Sequence, residues 1–223
     1  MARRIGAITV GQSPRTDVVG ELGELLQGVE LQQRGALDGL VADEIQKMAP
    51  VAGDYVLVTK LRDGTSVRIA EKYILERIKR HIEDLENEGV EGILMLCTGE
   101  FPTFQSRRPL LYPQRLLQHF VASVADQATV GVFTPDIIQV PQATRRWIAN
   151  GCKQVFVEPA SPYGDPEKVF EAAMKLRDQG AEFLVMDCIG YTWGMKRKVM
   201  ADTGLPVILP RTVAARVVAE MFG

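Results

Sequence analysis

Short apolar runs alternate with longer amphipathic stretches along the whole chain. The apolar runs lie at 5–9, 93–96, 130–134, 154–158, 183–186 and 207–209. Runs of this length, bounded by glycine, proline and polar residues, are typical of strands buried in parallel sheets. Helical patterns occupy 16–27, 136–149 and 212–222. The order of strands and helices therefore predicts an α/β fold, with helices covering both faces of doubly wound parallel sheets.

An internal repeat divides the chain into two similar halves. Residues 89–99 and 180–190 align without a gap and share Gly, Glu, Met, Cys and Gly at equivalent positions. In each copy a helical pattern ends at a glycine, which is a common signal for a helix C-terminus, and a buried strand follows. A second match pairs residues 5–9 with 130–134, so each half begins with a strand of its own. We therefore predict two pseudo-symmetric α/β halves.

The first half is longer than the second because it contains an additional stretch before its cysteine. Two runs with alternating apolar residues flank Asp63-Gly64 in this stretch. An Asp-Gly pair between such runs is the usual signal for a two-residue β-hairpin turn. We expect a β-hairpin insertion in the first half and none in the second.

Composition and charge narrow the classes of function. The net charge of −2 and the pI of about 5.8 provide no basic field for nucleic acid or for an anionic membrane surface. No run approaches the ~20 apolar residues of a membrane span, and the N-terminal residues do not read as a signal peptide. Three scattered cysteines indicate a reducing, cytoplasmic location, and with two histidines they do not favour a zinc site. The nucleotide-binding glycine motifs are absent, so we expect no cofactor.

Cys97 and Cys188 are the main candidates for chemistry. Each follows a predicted strand directly, and parallel sheets bind ligands at the carboxyl ends of their strands. A free cysteine is more often a small buried hydrophobe, which is how we interpret Cys152, but the repeated position of the other two favours a site. Asp187 precedes the second cysteine and should point to the opposite face of the strand. If the halves pack about a pseudo-two-fold axis, both thiols face one central cleft.

The turn after the first strand contains Ser13 and Arg15. Ser13 can cap the following helix, with Pro14 at the first helical position. Alternatively, Ser13 and the free backbone amides of this turn bind the carboxylate of a substrate, and Arg15 adds a bidentate cation. The pattern does not decide between these two interpretations.

Residues at other predicted strand ends complete the candidate site. A threonine hydroxyl at such a position either binds a carboxylate or caps the local turn, and glycine allows a ligand to approach the backbone. These further candidates are Thr98, Gly99, Thr134, Ile189, Gly190 and Thr212.

Three segments of the chain identify a family resemblance. They are Ile5-Gly-Ala-Ile-Thr-Val-Gly-Gln-Ser-Pro-Arg15, Met186-Asp-Cys-Ile-Gly190 and Pro206-Val-Ile-Leu209. With them the whole chain resembles the AroM family, which is similar to the aspartate/glutamate and hydantoin racemase superfamily. That superfamily has two pseudo-symmetric α/β domains with one catalytic cysteine from each, and it often forms dimers. The resemblance thus allows a homodimer and implies that the final helix rejoins the first domain. The expected domains are 1–112 plus 211–223, and 113–210.

The resemblance also implies a site and a class of reaction. Cys97 and Cys188 would be the two catalytic thiols, and Ser13, Thr98 and Thr134 would bind the substrate carboxylate. Amino-acid racemases usually have Asn-Thr after the first cysteine and often Thr-His after the second, whereas this chain has Thr-Gly and Ile-Gly.

The function that we expect is an isomerase, specifically a cofactor-independent racemase or isomerase that acts on a small carboxylate by proton transfer between two cysteines. Two opposed thiols of similar proton affinity suit the removal of a proton from one face of a carbon and its return to the other. Two alternatives stay open. One is a lyase or cis–trans isomerase that uses a single cysteine, and the other is a non-catalytic small-metabolite binding protein.

Overall fold

The computed structural model describes residues 2–124 and 127–223, which form an α/β protein. The chain divides into two compact units, Met1–Pro113 with Ala214–Gly223, and Gln114–Val213. Within the described ranges, no helix has the length and apolar character needed to cross a membrane.

The first unit contains a four-stranded parallel sheet and a separate antiparallel hairpin. Its strands are β1 (Arg3–Thr9), β2 (Val29–Gly35), β3 (Val56–Lys60), β4 (Ser66–Ala70), β5 (Gly92–Met95) and β6 (Leu110–Leu111). The helices that begin in this unit are α1 (Thr16–Val19), α2 (Ala42–Gln46), α3 (Leu75–Asn87) and α4 (Pro113–Val124), with 3₁₀ turns at Gly20–Leu22 and Glu71–Tyr73. The parallel sheet has the order β2-β1-β5-β6, and β3 pairs with β4. The hairpin insertion is therefore present, with its turn at Asp63-Gly64 as predicted.

The second unit contains the other four-stranded parallel sheet. Its strands are β7 (Thr129–Thr134), β8 (Gln154–Pro159), β9 (Phe183–Met186) and β10 (Val207–Ile208). The helices that begin in this unit are α5 (Val140–Ala149), α6 (Pro166–Asp178), α7 (Trp193–Thr203) and α8 (Pro210–Phe222), with a 3₁₀ turn at Ile137–Gln139. From Ala214 onward, α8 belongs to the first unit. The strand order is β10-β9-β7-β8.

The two parallel sheets have the same topology and the same register. In each, the first strand of the unit lies between the second strand and the strand that precedes the cysteine. Ile5 pairs with Gly92 in the first sheet, and Val130 pairs with Phe183 in the second. These partners occupy equivalent places in the two sequence matches described above. The predicted fold of two pseudo-symmetric, doubly wound halves is confirmed.

The helices before the two cysteine strands end in the same way. Gly89 and Gly180 follow α3 and α6 with φ of 83° and 94°, a conformation that glycine adopts without steric cost. The residue after each glycine donates its backbone N–H to the carbonyl oxygen of Leu85 or Leu176, which completes a Schellman motif. The predicted helix C-termini are confirmed, and each one directs the chain into a buried strand.

One helix is shorter than its pattern predicts. The expected helix over 16–27 consists of α1 and a 3₁₀ turn that ends at Leu22. Gly20 and Gly23 stand inside the predicted span, and each glycine costs a helix interior about 1 kcal/mol relative to alanine. The amphipathic pattern therefore extends further along the sequence than the helix does.

Candidate active site

Both candidate thiols lie at the topological switch point of their own sheet. Cys97 follows β5 after one residue, and Cys188 follows β9 after one residue. β5 and β9 are adjacent to the first strand of their unit, on the side opposite to the second strand. A doubly wound sheet opens a crevice for ligands at this point, outside the carboxyl ends of its strands.

Each thiol is bound by the glycine two residues later in the chain. The N–H of Gly99 donates to Sγ of Cys97 at 3.2 Å, and the N–H of Gly190 donates to Sγ of Cys188 at 3.4 Å. Cys97 is 9% exposed and Cys188 is 6% exposed. A hydrogen bond from an amide to sulfur favours the thiolate over the thiol, because it stabilises the charged form. The sequence repeat therefore corresponds to the same local hydrogen bond in both units, from a glycine amide to a cysteine sulfur.

Ser13 does not cap a helix. α1 begins at Thr16, and no side chain caps its N-terminus. Instead, the carboxylate of Asp38 accepts hydrogen bonds from the backbone N–H of Ser13 at 2.9 Å and from its hydroxyl at 2.6 Å. Of the two interpretations that the sequence leaves open, capping by Ser13 is not observed, because a charged acceptor on the neighbouring loop binds the same groups.

Asp38 connects the Ser13 turn to the hairpin insertion. Its carboxylate also accepts from the backbone N–H of Gly35 at 2.8 Å and from the Arg62 guanidinium at 3.1 Å. Arg62 lies on the hairpin turn and donates from Nε to the carbonyl oxygen of Ser13 at 2.8 Å. Asp38 and Arg62 are not among the site residues that the sequence predicts. Arg62 could have been found from its position, because it directly precedes the Asp63-Gly64 pair of the predicted hairpin turn.

Arg15 is buried and already paired. Its Nε and one Nη donate to the two carboxylate oxygens of Asp17, each at 2.8 Å, and the side chain is 4% exposed. A bidentate interaction between Arg15 and a substrate carboxylate would require this ion pair to open. A cavity of about 230 Å³ lies between this turn and the hairpin. It is lined by Gln12, Pro14, Arg15, Thr16, Asp17 and residues 60–64.

Thr98 and Gly99 lie in the turn of the first thiol. Thr98 is buried. Gly99 packs so closely on β3 that a Cβ at this position would lie 2.4 Å from Cδ2 of Leu57. The hairpin insertion therefore contributes directly to the wall beside Cys97.

Arg211 supports the turn of the second thiol. Its Nε and Nη2 donate to the carbonyl oxygen of Ile189 at 3.0 and 2.7 Å, and the residue is 1% exposed. Thr212, the neighbouring candidate, donates its hydroxyl to the carbonyl oxygen of Leu209 at 2.9 Å, a local hydrogen bond at the start of α8. The buried cation of this segment is thus Arg211, which fixes the residue between Cys188 and Gly190.

Two tyrosines surround the second thiol, and they differ in what they contact. The hydroxyl oxygen of Tyr163 lies 3.9 Å from Sγ of Cys188. The hydroxyl of Tyr191 donates to the carbonyl oxygen of Ala160. Burial raises the pKa of Tyr191 well above its usual range, and the nearby Cys188 and Asp187 add to this. Tyr163 is not among the site residues that the sequence predicts, although its position shortly after β8 agrees with the rule that ligands bind at strand ends.

Asp187 faces away from the thiol that follows it. Its carboxylate accepts from Nε1 of Trp147 at 2.8 Å and pairs with Arg146, both on α5. Cys188 belongs instead to the apolar cluster that includes Val169 of α6. The predicted orientation of Asp187 is confirmed, and this carboxylate is not placed to act as a base at the second thiol.

The remaining predicted residues have local partners. Thr134, at the end of β7, is buried and donates to Oε1 of Gln139 at 3.3 Å. Cys152 lies in the apolar cluster around Trp147, and burial raises the pKa of its thiol. In the part of the chain that the structure describes, no group of three or more His, Cys, Asp or Glu side chains could hold a metal ion.

Two parallel-sheet units, each with a cysteine at its switch point, define a protein with the aspartate/glutamate racemase-like fold. Residues 5–222 match the family described as AroM protein, and the chain belongs to this family. No curated protein sequence matches the chain.

Solved structures that are named for three different activities share the fold of this chain at low sequence identity. Maleate isomerase Iso from Pseudomonas putida S16 is 13% identical, with a TM-score of 0.65 over 99% of this chain and 93% of that one. The aspartate racemase of Picrophilus torridus is 13% identical, with a TM-score of 0.60 over 100% and 95%. Unliganded arylmalonate decarboxylase is 11% identical, with a TM-score of 0.63 over 99% and 92%. This similarity establishes the fold.

Proposed function

We propose that the protein is a cofactor-independent racemase or isomerase that moves a proton on a small carboxylate substrate between Cys97 and Cys188. The observation that carries the proposal is the repeated local geometry of the two thiols. Each sulfur lies at the switch point of a parallel sheet and accepts the N–H of the glycine two residues later. The activities for which the similar structures are named, those of a racemase, an isomerase and a decarboxylase, agree with chemistry at a carbon next to a carboxylate.

The proposed step requires the two thiols to address opposite faces of one substrate carbon. One cysteine, as the thiolate, takes the α-proton: the C–H bond breaks, an S–H bond forms, and the electron pair stays on the substrate. The other cysteine then gives its proton to the opposite face and becomes a thiolate. The two thiols have exchanged protonation states, so no cofactor or oxidant is needed.

The negative charge that develops on the substrate must be stabilised by groups already in place. The candidates in the first unit are Ser13 and Thr98, and in the second unit they are Thr134 and the backbone of Ile189 and Gly190. The hydroxyl of Ser13 donates to the carboxylate of Asp38. We therefore expect backbone N–H groups of the turn around Ser13, rather than the Ser13 hydroxyl alone, to bind the carboxylate of the substrate.

A reaction at a single thiol is a second candidate, because the surroundings of the two sulfurs are not equal. Tyr163 lies beside Cys188. The segment after β8 that carries Tyr163 differs in sequence from the equivalent segment after β2 in the first unit. A lyase or a cis–trans isomerase needs only one activated cysteine. The two candidates make opposite predictions for the loss of one thiol.

The test is inversion of single enantiomers of small α-substituted carboxylates in deuterated water, followed by NMR. We expect an inverted product that carries deuterium at the α-carbon. Cys97→Ala and Cys188→Ala should each lower the rate at least about a hundredfold, since each removes a required acid or base. Cys152→Ala is the matched control and should retain the rate. Inversion that survives loss of either Cys97 or Cys188 would contradict two-thiol transfer, and stabilisation by a carboxylate without any exchange would indicate a binding protein.

A further inference from the structure

The surroundings of the Cys188 sulfur contain a hydroxyl group that the proposed reaction does not yet use. The Tyr163 hydroxyl oxygen lies 3.9 Å from Sγ, within the reach of a hydrogen bond to sulfur. The Gly190 N–H approaches the same sulfur at 3.4 Å. A backbone N–H and a phenolic hydroxyl thus converge on one sulfur.

Gly190 makes the position of the Tyr163 ring possible. A Cβ at residue 190 would lie 2.4 Å from the Tyr163 hydroxyl oxygen and 2.5 Å from Cζ. Any side chain at this position would displace the phenol from the sulfur. The glycine therefore serves both contacts, because it presents its own N–H to sulfur and leaves the space that the phenol occupies.

The segment that carries Tyr163 is anchored at several points within the second unit. The N–H of Ala160 donates to the carbonyl oxygen of Thr134 at 2.8 Å, and the carbonyl of Ala160 accepts from Tyr191. The N–H of Tyr163 donates to Oγ of Ser161 at 3.2 Å. The phenol thus approaches the thiol from a fixed stretch of backbone.

Other polar groups near the second thiol are directed elsewhere. Tyr191 donates to Ala160, and Arg211 donates to the carbonyl oxygen of Ile189. Asp187 lies on the opposite face of the sheet with Arg146. The hydroxyl of Tyr163, in contrast, contacts the sulfur.

We propose that Tyr163 is a positioning residue that sets the protonation of Cys188 by donating its phenolic hydrogen to the thiolate. This inference rests on the proposed function for its catalytic meaning. When Cys188 gives its proton to the substrate, the S–H bond breaks and the electron pair stays on sulfur. The Tyr163 O–H bond remains intact, and its hydrogen bond stabilises the new charge. In the other direction of the reaction, the same bond holds Cys188 ready as the base.

The experiment is a pH titration of the free enzyme that requires no substrate. Cysteine labelled with carbon-13 at Cβ gives an NMR signal for each thiol, which single Cys→Ser variants assign. Tyr163→Phe removes only the hydroxyl, and we expect it to raise the titration midpoint of Cys188 by about one pH unit, the scale of one charge-assisted hydrogen bond. Cys97 and Cys152 are internal controls in the same spectrum and should not move.

Two further variants separate the hydrogen bond from general loosening of the structure. Gly190→Ala displaces the phenol by steric overlap and should move Cys188 in the same direction, which also covers the case in which Tyr163→Phe does not fold. Tyr191→Phe removes a neighbouring hydroxyl that does not contact the thiol and should leave the midpoint in place. An unchanged Cys188 midpoint in Tyr163→Phe, an equal shift of all three cysteines, or an equal effect of Tyr191→Phe would each overturn the proposal.

The activity assay then distinguishes this proposal from the proposed function. If the wild-type protein inverts a carboxylate, Tyr163→Phe should move the pH profile of kcat in parallel with the Cys188 titration. If no substrate is inverted but the titration shifts, the proposed function fails and the role of Tyr163 at the thiol stands. If inversion occurs with an unchanged pH profile in Tyr163→Phe, the role of Tyr163 fails and the proposed function stands.

Discussion

The segments that follow the second strand of each unit begin with the same backbone hydrogen bond and then make different side-chain contacts. Ala36 donates its N–H to the carbonyl oxygen of Thr9 after β2, and Ala160 donates to that of Thr134 after β8. Beyond this common start, the first segment presents Asp38, whose carboxylate holds the Ser13 turn. The second presents Tyr163, whose hydroxyl contacts Cys188. The two units thus share the backbone hydrogen bond at this point, but the side chains that follow it make different contacts.

The two units also differ in how they fix the ends of their central strands. In the second unit the supporting charges are deeply buried, as in the pair of Arg146 with Asp187. In the first unit Leu96 occupies the position equivalent to Asp187, and the charged network around Asp38 is partly exposed. Because buried charges depend on their partners far more than exposed ones, loss of one partner should cost the second unit more than the first.

The largest effect is expected for Arg146→Met. This change leaves the Asp187 carboxylate buried without its cation, which should lower the free energy of unfolding by about 3–5 kcal/mol. The measurement is urea unfolding monitored by the fluorescence of Trp147, which lies against this pair. The exposed pair of Arg177 with Asp178 supplies the control, since Arg177→Met should cost less than about 1 kcal/mol.

A second substitution sharpens the comparison with the first unit. Adding Asp187→Leu to Arg146→Met places at this strand end the residue type that the first unit has at Leu96. Replacement of a whole buried ion pair by apolar side chains is often neutral. We therefore expect the double variant to recover only part of the lost stability, because the buried Trp147 indole N–H also loses its acceptor. A further loss beyond that of Arg146→Met would show that the ion pair contributes more to stability than its own charge compensation.

The next effect in size is expected for Asp38→Ala in the first unit. The change removes the acceptor for the N–H groups of Ser13 and Gly35, and each unsatisfied group costs about 1–3 kcal/mol when water cannot replace the partner. Because Asp38 is partly exposed, we expect a total loss of about 2 kcal/mol in urea unfolding, with faster hydrogen exchange at the Ser13 amide. Arg62→Ala is the control at the exposed end of the network and should cost less than about 1 kcal/mol. Equal losses from both variants would contradict this ranking.

Features with a local sequence signal were predictable, and features that depend on tertiary partners were not. The repeat around Cys97 and Cys188, the glycines that end the preceding helices and the Asp-Gly turn each carry their signal within a few residues. The sequence did not decide whether Ser13 caps a helix, because the partner of its hydroxyl, Asp38, lies 25 residues away in the chain. Tyr163 reaches its thiol across 25 residues of chain, so no local pattern reports the contact.

The smallest expected effect is on stability at acidic pH, and it originates at a histidine that the first unit has and the second unit lacks at the equivalent position. His81 on α3 is half-buried, and its Nε2 lies 3.1 Å from the carbonyl oxygen of Gly35. Ala172 occupies the equivalent position on α6 of the second unit. Burial lowers the pKa of His81 below its ordinary value of 6.5, and the nearby Arg77 adds to this. The carbonyl of Gly35 and the carboxylates of Asp38 and Asp84 act in the opposite direction without reversing it.

The folded protein therefore binds a proton at His81 less readily than the unfolded chain does. The neutral ring contributes stability above the unfolded pKa of 6.5, and this contribution is lost as the pH falls below that value. His81→Gln keeps a donor for the Gly35 carbonyl and cannot be protonated, so its urea midpoint should fall less than that of the wild type on acidification. His119→Gln, at an exposed ring on α4, is the matched control and should follow the wild type. If His81→Gln loses stability as steeply as the wild type, the acid response does not originate at this histidine, and the difference between the units lies in their carboxylates.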